Sequence, residues 1–268
     1  MSTTAPYALH EATTRAESDA IVDLAWHAWH EPYTPSFQIF HPVFGPTARD
    51  HETAIVADKE RAWNTHLAHK EGVSHWIYVV HRESGEVIGA CQWLIFTEMP
   101  WPKEFPKLEA IWWPEGEGRD FASEFLRQCY APRQQWMNRP HIALNQTSVH
   151  PEHRGKGVGG MLMKWGTDKA DELGLEGFIE ASDSGRSLYE KHGFRTLMKL
   201  SVSLEKKNSS QEWKRMLHEL TPFHIYVTWR PVGGVFEEGK PQTPWQVDQM
   251  LTKEGRSEVK LPAMKLGG

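Results

Sequence analysis

Residues 149–160 read Val-His-Pro-Glu-His-Arg-Gly-Lys-Gly-Val-Gly-Gly. An extended, β-favouring run, His141–Val149, leads into this stretch, and an apolar-periodic run from Val158 to Leu173 leaves it. The pattern is a strand, a glycine-dense turn and a helix start. Glycines let the backbone fold tightly and turn several N–H groups to one side. Such donors, at the positive end of a helix, make an anion site. The chemistry first suggested is a pocket for a phosphate-bearing cofactor.

A glutamate and a tyrosine follow at distances that matter. Glu180 lies about twenty positions beyond the glycines, so the run Gly155-Lys156-Gly157-Val158-Gly159-Gly160 also satisfies the G-x-G-x-x-G fingerprint of dinucleotide binding. Three features oppose that reading. Pro151 to Arg154 separate the strand from the glycines, where the dinucleotide fold turns at once. Arg154 puts a cation where a close turn needs none. The chain after Glu180 is too short for a second nucleotide-binding half.

The elements that position these residues are legible in order. Tyr7 to Glu11 opens a first strand. Thr14-Arg15-Ala16-Glu17 is a capping box ahead of a helix over 15–30, with Ile21, Leu24, Ala25 and Ala28 on one face. Residues 31–46 carry four prolines among Phe37, Phe40 and Phe44, which forbids a helix. A helix with a thin apolar stripe follows from Thr47 to about Lys70, with Gly72 ending it. Residues 75–81 and 87–96 form a β-hairpin around Glu83-Ser84-Gly85-Glu86. Residues 97–140 are an insertion of the length typical of a lid or binding loop, with a short helix over 120–130. Then come the strand, the glycine turn and a helix with Val158, Met161, Leu162 and Trp165 on one face. A short strand over 177–181, a short helix over 184–192, a strand over 194–204, a helix near 211–220 and a strand over 223–230 complete the core. The expected fold class is α/β, a mixed, mostly antiparallel sheet flanked by helices. One domain is expected over 1–232, with a loosely held tail over 233–268.

This order of elements, together with two motifs, resembles the GNAT superfamily of acyl-CoA N-acetyltransferases. The first motif is Arg154-Gly155-Lys156-Gly157-Val158-Gly159. The second is the Tyr189 to Gly193-Phe194 run that ends the short helix. The resemblance covers 75–204 clearly, and Tyr226 to Pro231 resembles fungal members. It implies acetyl-CoA as co-substrate, with the pyrophosphate on the backbone of Arg154, Gly155, Lys156, Gly157, Val158, Gly159 and Gly160. It also implies that the pantetheine lies along Gln146, Thr147, Ser148 and Val149, where neighbouring strands splay, with Ser182 at a position where the family often has Asn. A backbone N–H near Val149 is the expected oxyanion donor. Tyr189 matches the family's general acid. Many relatives carry a glutamate on the strand before the turn; His141–Val149 has none, so Glu180 is the candidate base, with Asp183 behind it and a water chain as the alternative.

The thirteen tryptophans divide between core and pocket. Trp26, Trp29, Phe37, Phe40, Trp93, Trp101 and Trp112 are expected to wall the acceptor site, suiting an apolar, aromatic or cationic amine. His27, His30 and His41 lie nearby, but without Cys clusters or an HExxH helix no metal is expected. A net charge of −5 argues against a nucleic-acid binder. Two separated cysteines, Cys91 and Cys129, exclude a disulfide scaffold and fit a reducing, cytoplasmic setting. No secretory signal, membrane span or C-terminal address is read in the sequence. The expected function is transfer of acetyl to a primary amine of a small molecule through a ternary complex. A non-catalytic acyl-CoA sensor and an enzyme acting on protein lysines or N-termini stay open, as does the oligomeric state.

Overall fold

The computed structural model describes residues 5–101, 107–220, 222–236, 243 and 246. Most of the 233–268 tail therefore lies outside the described residues, as do residues 102–106 of the insertion. The fold is mixed α/β with a seven-stranded, mostly antiparallel sheet flanked by helices. The chain divides into two compact units, each drawn from two segments: residues 1–95 with 142–169, and 96–141 with 170–268.

The first unit holds β1 (Tyr7–Glu11), α1 (Arg15–His30), the single turn α2 (Phe37–Phe40), α3 (Ala48–Ala68), β2 (Ser74–His81) and β3 (Val87–Phe96). It also holds nearly all of β4 (His141–Val149) and most of α5 (Val158–Glu172). Its strands run in the order β1-β2-β3-β4, with β1–β2 and β2–β3 antiparallel. Both capping boxes are made: Thr14 with Glu17, and Thr47 with Asp50. Each supplies acceptors to the orphan N–H groups of a first helical turn. The prolines of 31–46 do not exclude helix entirely; one turn, α2, fits between Pro35 and Pro42.

β3 faces two layers by its period of two. Ala90 packs with Ile21, Leu24, Trp76 and Tyr78 on the α1 side. Gly89 and Trp93 face α5, where Leu162 accepts a hydrogen bond from Trp93 Nε1 at 3.2 Å. Gly166 of α5 lies on the Trp93 indole so closely that a Cβ there would overlap the ring. The buried face of α5 is Val158, Leu162, Met163, Gly166, Thr167 and Ala170; Met161 and Trp165, expected inside, are only half-buried. Gly166→Ala is expected to destabilise the protein by about 1–3 kcal/mol through overpacking. Thermal unfolding of wild type and variant checks this.

The second unit holds α4 (Glu117–Trp136), β5 (Glu176–Ala181), α6 (Asp183–Lys191), β6 (Arg195–Ser201), α7 (Gln211–Leu220) and β7 (His224–Arg230), with strands in the order β5-β7-β6, both pairs antiparallel. α4 is longer than the helix expected over 120–130 and runs through Pro132. Its buried stripe, Phe121, Phe125, Cys129, Pro132, Arg133 and Trp136, continues past the proline. Packing thus outweighs the lost N–H, which costs about 3 kcal/mol in a helix interior. Trp136 and Met137 cover Phe178, Val227 and Trp229.

Candidate active site

β4 delivers the chain to a 3-10 turn, Pro151–His153, and then to the glycines. Gly155 and Gly157 have φ of 72° and 89°. That left-handed region costs an L-residue about 1–2 kcal/mol. Val158, 1 % exposed, anchors the start of α5. Its methyl sits where a Cβ on Gly89 would be, so the glycine on β3 seats the helix end. Among the described residues, the N–H groups of Gly155, Lys156, Gly157, Val158, Gly159 and Gly160 have no acceptor, and the first one of α5 that does is Met161, which donates to Gly157 at 3.1 Å. Unsatisfied donors at a helix N-terminus favour an anion.

Arg154 departs from its expected role. Its backbone N–H donates to the Pro151 carbonyl at 3.2 Å. Its guanidinium donates to the carbonyls of Val149 at 3.1 Å, Ala28 at 2.6 Å and Glu31. The side chain therefore fastens the end of α1 to the end of β4, and the donor row begins one residue later than expected.

Along β4, Ser148 is buried and accepts a hydrogen bond from Trp29 Nε1 at 2.9 Å. Gln146, Thr147 and Val149 are half-buried. Asn145 donates to Gln92 at 2.7 Å and Gln92 to Ser74 at 2.9 Å, a polar relay across three strands.

The aromatic wall expected around the acceptor is only partly available. Trp93 is fully buried against α5. Trp26 is 4 % exposed, packs with Val22 and Phe37, and donates its Nε1 to Asp58 at 2.9 Å. Phe37 is 2 % exposed. These three are core: α5 covers Trp93, and α1, α2 and α3 close over Trp26 and Phe37. Trp29 and Phe40 are half-buried.

Asp58 ties this layer together. It is 5 % exposed and accepts from Trp26, from His41 Nδ1 at 2.5 Å, and from Arg61. Burial pushes its pKa up, but His41 and then Arg61 outweigh burial and hold it at about 2, below the ordinary 3.8. Burial, opposed by Asp58, lowers His41. When folded pKa values are depressed, the unfolded chain binds more protons, so the stabilisation is present above the unfolded pKa and lost as pH falls. For Asp58 the window runs from 3.8 down to about 2. Wild type is therefore expected to lose stability more steeply across that range than Asp58→Asn, as read by urea unfolding at a series of pH values.

In the second unit, Glu180 does not stand free. It receives a two-point ion pair from Arg133, one contact at 3.1 Å, with both side chains 7 % exposed. The carboxylate expected as the base is thus engaged in a buried ion pair. Ser182 is the N-cap of α6, accepting from Gly185 N at 3.3 Å and pairing with Ser184 Oγ at 3.0 Å. Asp183 opens α6 and faces His224 Nε2 at 2.8 Å. Tyr189 is 4 % exposed. Its ring folds back along α6, as helical side chains do, so that a Cβ on Gly185 would meet its hydroxyl at 2.6 Å. Trp101 and Trp112 are half-buried. The Asn138 amide holds both backbone groups of Trp101, at 3.0 and 2.9 Å.

The family model for the acetyltransferase (GNAT) family matches residues 20–194, a span that includes both the donor row and Tyr189. The chain belongs to the acetyltransferase (GNAT) family. Solved structures share the acetyltransferase fold at low identity. A mosquito arylalkylamine N-acetyltransferase like 5b is 14% identical, with a TM-score of 0.53 over 84% of this chain and 99% of that one. A Drosophila melanogaster polyamine N-acetyltransferase that forms N-acetylagmatine is 15% identical, with a TM-score of 0.52 over 83% and 97%. A Corynebacterium glutamicum protein described as histone acetyltransferase HPA2 and related acetyltransferase is 16% identical, with a TM-score of 0.50 over 85% and 97%. No curated protein matches the chain in sequence. The fungal subtype suggested by Tyr226 to Pro231 has no support among these neighbours.

The sequence reading of the acetyltransferase missed Gly89, Gly185 and Asp58. Gly185 had a signal, lying one helical turn before Tyr189. Asp58 had only Arg61, one turn on along α3, because its other partners come from α1 and from the residue after α2. Among the described residues no group of three or more His, Cys, Asp or Glu is arranged to hold a metal, and no helix is long and apolar enough to cross a membrane.

Proposed function

We propose that this acetyltransferase moves acetyl from acetyl-CoA to a primary amine of a small molecule by direct attack in a ternary complex. The observation that carries the reading is the row of unsatisfied N–H donors from Gly155 to Gly160, which fits the pyrophosphate of CoA. Gln146, Thr147, Ser148 and Val149 are assigned to the pantetheine. The small-amine acceptor is supported by the structural neighbours, which include enzymes named for arylalkylamines and polyamines. Trp29 and Phe40 are assigned to acceptor contact in the first unit, and Trp101 and Trp112 in the second.

The chemistry has three needs. The amine must be neutral, so that its lone pair forms the N–C bond. The tetrahedral oxyanion needs a donor, assigned to a backbone N–H near Val149. As the C–S bond breaks, the thiolate takes a proton, assigned to the Tyr189 hydroxyl. The proton released by the amine leaves through water, since Arg133 occupies Glu180.

The test is release of CoA from acetyl-CoA with a panel of agmatine, spermidine, an arylalkylamine and a lysine peptide. Turnover with at least one small amine and none with the peptide is the expected result. Turnover with the peptide alone makes it a protein acetyltransferase. Tight acetyl-CoA binding with no turnover on any acceptor makes it a sensor.

A further inference from the structure

The end of α1 is joined to the cofactor limb at three separate points. Arg154 donates to the carbonyls of Ala28 and Glu31. Trp29 Nε1 donates to Ser148 of β4. The His27 ring stacks on His150, with centroids 4.6 Å apart and planes 17° apart. The last carbonyls of a helix have no intrahelical donor, and a guanidinium fork satisfies two of them while its charge complements the negative helix end. Immediately beyond this end lie residues 31–46, with Phe40, and just before it lies Trp29.

We infer that Arg154 is a positioning residue for the acceptor side of the site and not a ligand of the cofactor phosphate. This rests on the proposed assignment of Trp29 and Phe40 to the acceptor. All three guanidinium nitrogens of Arg154 donate to protein carbonyls, using three of its five side-chain N–H groups, and its own N–H is taken by Pro151. The phosphate is left to the donor row that starts at Gly155. What Arg154 fixes is the distance between the glycine turn and the end of α1, and therefore where Trp29 stands over Ser148. Lysine cannot replace it, because a single ammonium lacks the planar fork that spans separate carbonyls.

Three variants test the assignment: Arg154→Lys, Arg154→Met and Trp29→Phe, the last removing the Nε1 donor while keeping a ring. Calorimetry gives the dissociation constant for acetyl-CoA, and steady-state kinetics give the amine KM and kcat separately. For both Arg154 variants the amine KM is expected to rise about tenfold or more while the acetyl-CoA Kd moves less than about threefold, the mark of lost acceptor positioning. Trp29→Phe is expected to act in the same direction, and less than additively with Arg154→Lys. An acetyl-CoA Kd weakened as much as the amine KM, or more, overturns the inference and returns Arg154 to the phosphate. Amide exchange gives a readout that does not need turnover. Arg154→Lys is expected to speed exchange across 28–41 and leave 155–170 unchanged, and the reverse pattern overturns the inference. Should wild type acetylate no amine, the functional reading fails and the exchange experiment still decides the role of Arg154.

Discussion

Tyr189→Phe is expected to lower kcat by about 10²–10⁴, the usual span for a positioned general acid, while acetyl-CoA affinity stays within about threefold. The substitution removes one oxygen from a side chain that is almost fully buried. The ring keeps its place over Gly185, because no atom of it is lost. The fold and the donor row at Gly155 to Gly160 have no part in the change. The effect falls on the thiolate as it departs, so it appears in kcat and in kcat/KM together and not as a rise in KM alone. Calorimetry with acetyl-CoA and CoA-release kinetics on the two proteins measure both quantities. Equal turnover in wild type and variant removes Tyr189 from the mechanism.

The second large effect is structural. Glu180→Gln leaves Arg133 buried without its countercharge, and breaking such a pair from one side costs about 3–5 kcal/mol. Arg133 and Glu180 are each 7 % exposed, so little solvent is at hand to replace the lost partner. Replacing both, as Glu180→Gln with Arg133→Met, is expected to recover much of that loss, since an apolar pair avoids the desolvation of two charges. Urea unfolding of the three proteins gives the comparison. Unchanged stability in Glu180→Gln, with loss of the acidic limb of the pH–rate profile, would restore Glu180 as the base.

Local signals were read well, and partnerships across the sequence were not. α1 begins and ends where the Thr14 box and the apolar period place it. α7 and β4 match their expected bounds, because periodicity and flanking breakers are written into adjacent residues. The donor row was legible because glycine spacing is itself a backbone instruction. The acceptor wall was not. Trp26 and Phe37 look identical in sequence to Trp29 and Phe40, and only the closing of α1 over α2 and α3 separates core from surface. The ion pair of Glu180 is hidden for the same reason: its partner lies 47 residues earlier on α4. The motif places Arg154 at the cofactor, yet two of its three carbonyl acceptors lie more than a hundred residues away.

The contact between Trp93 and Gly166 constrains how this sequence can drift. Position 166 accepts no side chain while 93 is a tryptophan. A descendant with alanine at 166 needs a smaller residue at 93 first, and each change made alone is harmful. The two positions are thus expected to change as a pair among close relatives. Where they have, bulk has moved from the strand to the helix, about two turns beyond Val158, on the same rod whose first residues carry the unsatisfied donors.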